Sequence, residues 1–488
     1  MFRPSHVFTI LIIAVVIAAV LISCAAPAAK QSEPGSGLEG FISSLQKGGF
    51  TLKPVPFIPV DLIRLYESGR LANAAGNNAG APYRAVFAAG PENLQMSDIK
   101  QLSNADVWEK METQLYGIHT LIQGWQLNPD EALVIVGRTP PQCAYFSYCG
   151  FVFYKYYEKE QGRKWVWASF NDPLNNLTIK TLGTRGGKKG NPFDQDVIIV
   201  ITADRGTDKQ VRNAAAAAGY SRDIINTYVV PGSLLKLGTG PDCDSIVFGQ
   251  RMALFADENK GQEYVNTISV AIKVTPTAQG KPDPFPAPEV RVRGTGKTEV
   301  GLQPALDELR RAILAKYSSL AASELETHQW LSESYDAIQR GEYVAGESRD
   351  TVYLRSSTFT LGDAADEFAV AYGVNHAASG KATYSNCSFY GEAGWNGVAG
   401  IYSPDLTGSA DAFLPGNPLA KYLYVCKFAR TCNGEKTCVA VATGPVAHGV
   451  KLDEPAFIGF RAYMEPSTRV GPAYSELLYD RVIKFSPR

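Results

Sequence analysis

Apolar positions along this chain fall into short runs closed by Gly, Pro, Asn or Asp, and they are densest over residues 132–175. There Leu133-Val-Ile-Val136 closes at Gly137, and Tyr145-Phe-Ser-Tyr-Cys-Gly-Phe151 follows a Pro-containing loop. Val, Ile, Tyr and Phe suit a pleated, half-buried surface, so such runs predict short antiparallel strands. The same order of features returns over 368–406 and beyond. Phe368-Ala-Val-Ala-Tyr372 closes at Gly373, and Tyr384-Ser-Asn-Cys-Ser-Phe389 follows a loop, placing Ser147 over Ser385 and Cys149 over Cys387. Val197-Ile-Ile-Val-Ile201 is echoed by Tyr422-Leu-Tyr-Val-Cys426, and Val247-Phe-Gly-Gln-Arg251 by Phe457-Ile-Gly-Phe-Arg461. Ile272-Lys-Val-Thr-Pro276 is echoed by Ile483-Lys-Phe-Ser-Pro487. The shared order predicts a duplicated unit. The expected fold class is β-rich α+β, with two tandem antiparallel β-sandwich (jelly-roll-like) repeats, a helical cap and a helical connector.

Pro141, Tyr145-Phe-Ser147 and Asp172-Pro-Leu-Asn-Asn-Leu-Thr-Ile179 carry a resemblance. Residues 141–179 resemble a family of uncharacterised exported bacterial β-sandwich proteins, with a Phe-Trp-Ser strand and a later Asn-Pro-Ile-Asn turn. This chain has no Trp before Ser147 and no Arg-Tyr after Asn175. The resemblance implies a β-sandwich and no activity.

The chain divides as follows. Residues 1–24 read as a signal segment: Arg3, an apolar run over 7–22, then Leu21-Ile-Ser-Cys24. The run is shorter than the roughly 20 residues of a spanning helix. A small residue before Cys at its end resembles a bacterial lipobox, with Cys24 the lipidation site. Residues 25–38 are rich in Pro, Gly and small polar residues and read as a flexible tether. Residues 39–130 read as a mixed, helical cap, with helical spacing over 60–66 and 99–125 and a structured turn over 76–83 that can offer backbone amides to an anion. Residues 131–300 hold the first repeat and a Pro-rich connector, 301–345 a helical connector, and 346–488 the second repeat. In the helical connector Leu306, Leu309, Ile313 and Tyr317 share one face, and Leu325, Gln329, Leu331 and Tyr335 a second.

Composition narrows function more than fold. About 460 residues follow Cys24, too many for one core. A net charge of −1 with 19% charged residues leaves no basic groove for nucleic acid. Of eight cysteines, Cys432 and Cys438 flank an Asn433-Gly434 turn and are expected to form a disulfide, as the exported setting allows. Cys143, Cys149, Cys243, Cys387 and Cys426 cannot all pair with one another, and Cys149 and Cys387 read as small buried hydrophobes. No metal and no cofactor are expected: there is no C-x-x-C or H-E-x-x-H, and Gly294-Thr-Gly-Lys-Thr298 has Arg291 where a phosphate loop needs Gly.

Candidate chemistry is sparse. His376, in a loop with Lys381 and Tyr384 nearby, can support general acid–base work. Arg251 and Arg461 sit at equivalent strand positions on apolar faces, where an unpaired charge is costly. Asp172 and Asp405, at equivalent turns, are their expected partners; otherwise each arginine awaits a carboxylate or phosphate ligand. Asp204 and Arg205, at a strand end before an Ala-rich helix with Thr207 as its expected cap, are further candidates. The expectation is an extracytoplasmic lipoprotein, anchored to a bacterial membrane by its lipid, that binds a glycan, a small organic ligand or an envelope protein in a groove lined by Trp165, Trp167 and Trp395, or plays a structural part in the envelope. The alternative is an extracytoplasmic hydrolase or lyase centred on His376.

Overall fold

The computed structural model describes residues 34–86, 124–187, 190–267, 269–278, 280–444 and 448–488. Cys24, the apolar leader, most of the tether and nearly all of the helical stretch expected over 99–125 lie outside them. Among the described residues no helix is long and apolar enough to cross a membrane. The fold is β-rich α+β.

The first half contains β1 (Phe50–Val60), β2 (Tyr83–Val86), β3 (Ala132–Arg138), β4 (Cys143–Tyr157), β5 (Gly162–Ser169), β6 (Leu174–Asn175), β7 (Asp196–Thr202), β8 (Ile225–Val229), β9 (Ser245–Phe255) and β10 (Ser269–Pro276). They make one ten-stranded sheet in the order β5-β4-β9-β2-β1-β10-β3-β7-β8, with β6 beside β4. A sandwich of two separate sheets was the expectation; instead β1 pairs with β10 through Phe57 and with β2 from Ile58, carrying one limb into the other. Leu133 and Ile199 of one limb meet Phe146 and Phe248 of the other in a shared core, so the sheet folds over on itself. Residues assigned to a separate cap thus supply two central strands. Pro54, Pro56 and Pro59 give β1 the look of a loop, because proline cannot donate to a ladder.

The second half contains β11 (Ala321–Leu325), β12 (Thr327–Gln329), β13 (Thr351–Ser356), β14 (Phe368–Val374), β15 (Tyr384–Gly391), β16 (Asn396–Tyr402), β17 (Leu423–Ala429), β18 (Cys438–Ala440), β19 (Ala456–Tyr463) and β20 (Arg481–Ser486). These form two five-stranded sheets, β11-β20-β14-β17-β18 and β12-β13-β19-β15-β16. Ala371, Cys426 and Val482 of one sheet and Leu354, Cys387 and Phe460 of the other share a core. Strand order is common to both halves. The series β1-β10-β3-β7-β8 matches β11-β20-β14-β17-β18, each ending in a parallel pair, and β1-β2-β9-β4-β5 matches β12-β13-β19-β15-β16.

Ladder register corrects one detail of the sequence comparison. Ser147 lies opposite Arg251, whereas Asn386 lies opposite Arg461. Tyr145 therefore corresponds to Tyr384, and Cys149 to Ser388 rather than Cys387. Because successive strand residues alternate in face, that single step puts Cys387 inside its core and Cys149 on the opposite face of its sheet.

The helix Gln303–Lys316 buries Leu306, Leu309 and Ile313 against β14 and β20 as its spacing predicts. The second connector helix is different. Residues 321–329 pair as β11 and β12, and only Ser334–Arg340 is helical. Ladder bonds to β20 and β13 override a helix-favouring composition there. Asp204, not Thr207, caps the helix Arg205–Ala217, accepting from the Thr207 N–H at 2.6 Å.

Candidate functional site

The two halves meet through the outer faces of β2-β9-β4 and β13-β19-β15. Tyr145 and Ala253 of the first half pack with Tyr384 and Tyr463 of the second, with the Tyr145 and Tyr463 rings 4.6 Å apart. Neither Arg251 nor Arg461 meets its expected aspartate. Asp172 is taken by Arg349 (2.8 Å) and Arg291 (3.4 Å), and Asp405 is exposed with no ion pair among the described residues. Both arginines point between the halves instead, away from those turns. Arg251 donates to the Tyr353 hydroxyl at 2.9 Å and to the Gly346 carbonyl. Arg461 donates to the Tyr390 hydroxyl and to the Gly76 carbonyl. Each guanidinium lies 5.5 Å from a ring at a matching strand position, Phe151 for Arg251 and Tyr390 for Arg461.

The acceptors come from two matching loops. Ala75-Gly76 and Ala345-Gly346 each lie seven residues before a tyrosine, Tyr83 and Tyr353, that faces the arginine of its own half. Both alanines hold positive φ, +54° and +49°, as do the matching pairs Trp167 and Trp395 and Leu254 and Met464. Non-glycine residues rarely occupy this region, at a cost of roughly 1–3 kcal/mol each, and they persist where surrounding structure enforces them. The loops reach across reciprocally. Asn78 bonds Tyr384 at 3.1 Å and Asn386 at 2.8 Å, and Asn77 bonds the Gly397 backbone. In return Tyr145 donates to Asp350 at 2.7 Å, and the Gly346 N–H donates to the Trp167 carbonyl at 2.7 Å. Of these residues the sequence singles out Arg251, Arg461, Tyr384, Trp167, Trp395 and the turn over 76–83; it misses the Ala345-Gly346 loop, for which the repeated Ala-Gly spacing is the available signal.

Between these elements lies a cavity of about 60 Å³. One water needs about 10–15 Å³ on this measure, so a few waters or a small polar head fit. Val60, Leu62, Phe151, Trp167, Val247 and Leu331 give it an apolar wall, and Arg251, Arg461, Tyr83 and Tyr353 also line it. Neither arginine forms an ion pair among the described residues. The expected tryptophans form a ladder beside it: Trp165 lies 6.0 Å from Trp167 and 4.0 Å from Tyr343, which lies 6.0 Å from Trp395. Trp167 is buried, and Trp165 and Trp395 are packed against core clusters, so the ladder fills the join rather than lining an open groove.

His376, Lys381 and Tyr384 occupy three separate networks. The buried His376 Nδ1 lies 2.9 Å from Glu299, with Nε2 3.6 Å from Asp480. Burial would push its imidazole down, but the Glu299 and Asp480 carboxylates outweigh burial and raise it to about 10. Lys381 bonds Glu465 at 2.5 Å and also Glu476, and Tyr384 accepts from Asn78. The His376 and Lys381 networks pin the connector, since Thr295 and Gly296 donate to Glu476 and Glu299 itself belongs to that segment. Asp204 is committed as a cap and accepts from the Asp283 N–H; Arg205 pairs with Asp283 at the surface. Cys432 and Cys438 form a disulfide, and the other five described cysteines are buried thiols.

No protein-family model matches the chain, and no curated protein matches it. Among solved structures it is similar to the crystal structure of an uncharacterized protein from Burkholderia cenocepacia, at 14% identity over 92% of this chain and 97% of that one, with a TM-score of 0.34.

Proposed function

We propose that this is a lipid-anchored extracytoplasmic binding protein, built from two copies of one unit, whose ligand is a small organic anion held in the cavity between the halves. One observation carries the reading: Arg251 and Arg461, at matching positions, line a largely apolar cavity, and neither forms an ion pair among the described residues. A guanidinium withdrawn from water and hydrogen-bonded to neutral hydroxyls and carbonyls favours an incoming carboxylate or phosphate, and its planar fork suits two-point recognition. The small volume limits that ligand to a compact carboxylate or phosphate, with the apolar wall against its few carbons. The lipobox-like Leu21-Ile-Ser-Cys24 and the Cys432–Cys438 disulfide support an oxidising, membrane-anchored setting. A hydrolase or lyase at His376 has less support, because His376 is already committed between two carboxylates.

The test is a thermal-shift panel of small carboxylates and phosphates on the anchor-free protein. Ligand at about 100 Kd stabilises by about 2.7 kcal/mol, enough to move the melting midpoint. Binding should weaken at least about tenfold in Arg461→Gln and in Arg251→Gln. A panel with no shift, or shifts equal in both variants and the parent, rejects the reading.

A further inference from the structure

The core of the second half holds two thiols side by side. Cys387 on β15 and Cys426 on β17 belong to different sheets, and both are fully buried. Their sulfurs lie 3.3 Å apart, although the residues are 39 positions apart in sequence. A disulfide bond is about 2.05 Å long, so closure asks each sulfur to move by roughly 0.6 Å. Cys143, Cys149 and Cys243 bond instead to backbone, hydroxyl or carboxylate oxygens. The chain already carries one disulfide beside this strand, since Cys438 pairs in the ladder with Lys427, the residue after Cys426.

We propose that Cys387 and Cys426 are a second disulfide of this protein, stapling the two sheets of the second half together, and that it closes during folding. The oxidant is a disulfide reagent such as oxidised glutathione. One cysteine thiolate attacks it and displaces a thiolate, and the other cysteine then attacks the mixed disulfide and displaces the second. Two electrons and two protons pass from the cysteines to the reagent, which leaves as two thiols. Only a thiolate attacks, and a thiol sealed in an apolar core does not readily ionise. Closure therefore belongs to the stage before the sheets pack.

The experiment refolds the full chain, with reducing agent removed, in a glutathione redox series. At each potential the thiols are trapped by alkylation in denaturant, and peptides are mapped by mass. At potentials where Cys432–Cys438 has closed, Cys387 and Cys426 should be joined in one peptide pair and resist alkylation, while Cys143, Cys149 and Cys243 are labelled. In Cys387→Ala, Cys426 should become labelled. Already folded, reduced protein should close the pair far more slowly than refolding protein. Labelling of both Cys387 and Cys426 in refolded protein whose Cys432–Cys438 bond is intact overturns the proposal, as does pairing of either with another cysteine. The inference stands apart from the cavity, so a failed ligand panel leaves it untouched.

Discussion

Arg251 Nη1 donates to the Tyr353 hydroxyl at 2.9 Å, so a charge of the first half rests on a side chain of the second. Hydrogen bonds to charged groups contribute about 1.5–3 kcal/mol. Tyr353→Phe should lower stability by about that amount in urea titrations. A double-mutant cycle with Arg251→Met should show coupling on the order of 1–2 kcal/mol. Additive losses would show that the contact carries no energy of its own.

The Ala-Gly loops give a graded prediction. Gly76 has φ +56°, and a Cβ there would meet Trp330 at 2.7 Å; Gly346 has φ +71°, and its Cβ would meet Trp167 at 3.1 Å. Both changes to alanine should destabilise, Gly346→Ala by about 1–2 kcal/mol and Gly76→Ala by more. Denaturant midpoints of the two variants compare them directly, and equal losses would mean that the Trp330 ring moves aside freely.

A pH dependence follows from His376. Its folded-state value is raised to about 10 from an ordinary 6.5, chiefly by Glu299 and Asp480 working against burial. A raised folded value means that its stabilisation is complete below about 6.5 and is lost as pH climbs toward 10. Urea midpoints of the parent should fall across that window more steeply than those of His376→Gln. Parallel pH profiles would contradict a protonated His376 at neutral pH.

The Cys432–Cys438 loop spans six positions, so its closure removes little chain entropy. Replacing both cysteines by serine should cost less than the roughly 3 kcal/mol of a 15-residue loop. A larger loss in calorimetry would show that the bond shapes the folded state of β18.

Strand positions were legible in the sequence because Val, Ile, Tyr and Phe cluster at them: Val197 to Ile201 and Phe457 to Arg461 fall inside β7 and β19 as expected. The matching places of Arg251 and Arg461 were legible for the same reason. Their partners were not, because Gly346, Gly76 and Tyr353 approach them only when two outer sheet faces dock, and nothing local encodes that contact. Asp172 shows the converse: it sits at the expected turn, but Arg349 and Arg291, distant in sequence, reach it first. β1 was hidden by its three prolines, and β11 by its Ala-Ala-Ser-Glu-Leu composition. The alignment of Cys149 with Cys387 is one residue out because a strand's register is set by its neighbours rather than by its own residues.

The reciprocal loops carry a consequence of symmetry. Contacts in which one half's Gly76 meets the other's Arg461, while Gly346 meets Arg251, are those of an isologous two-fold interface, drawn within a single chain. A true homodimer must keep both sides of its axis identical. Here the tie is covalent, and the sides already differ: Phe151 lies against one arginine where Tyr390 lies against the other, and Asp350 stands on one side where the other presents Asn78. On the proposed reading, such an axis would hold a lopsided molecule in a single orientation, which a symmetric pair of subunits could not select.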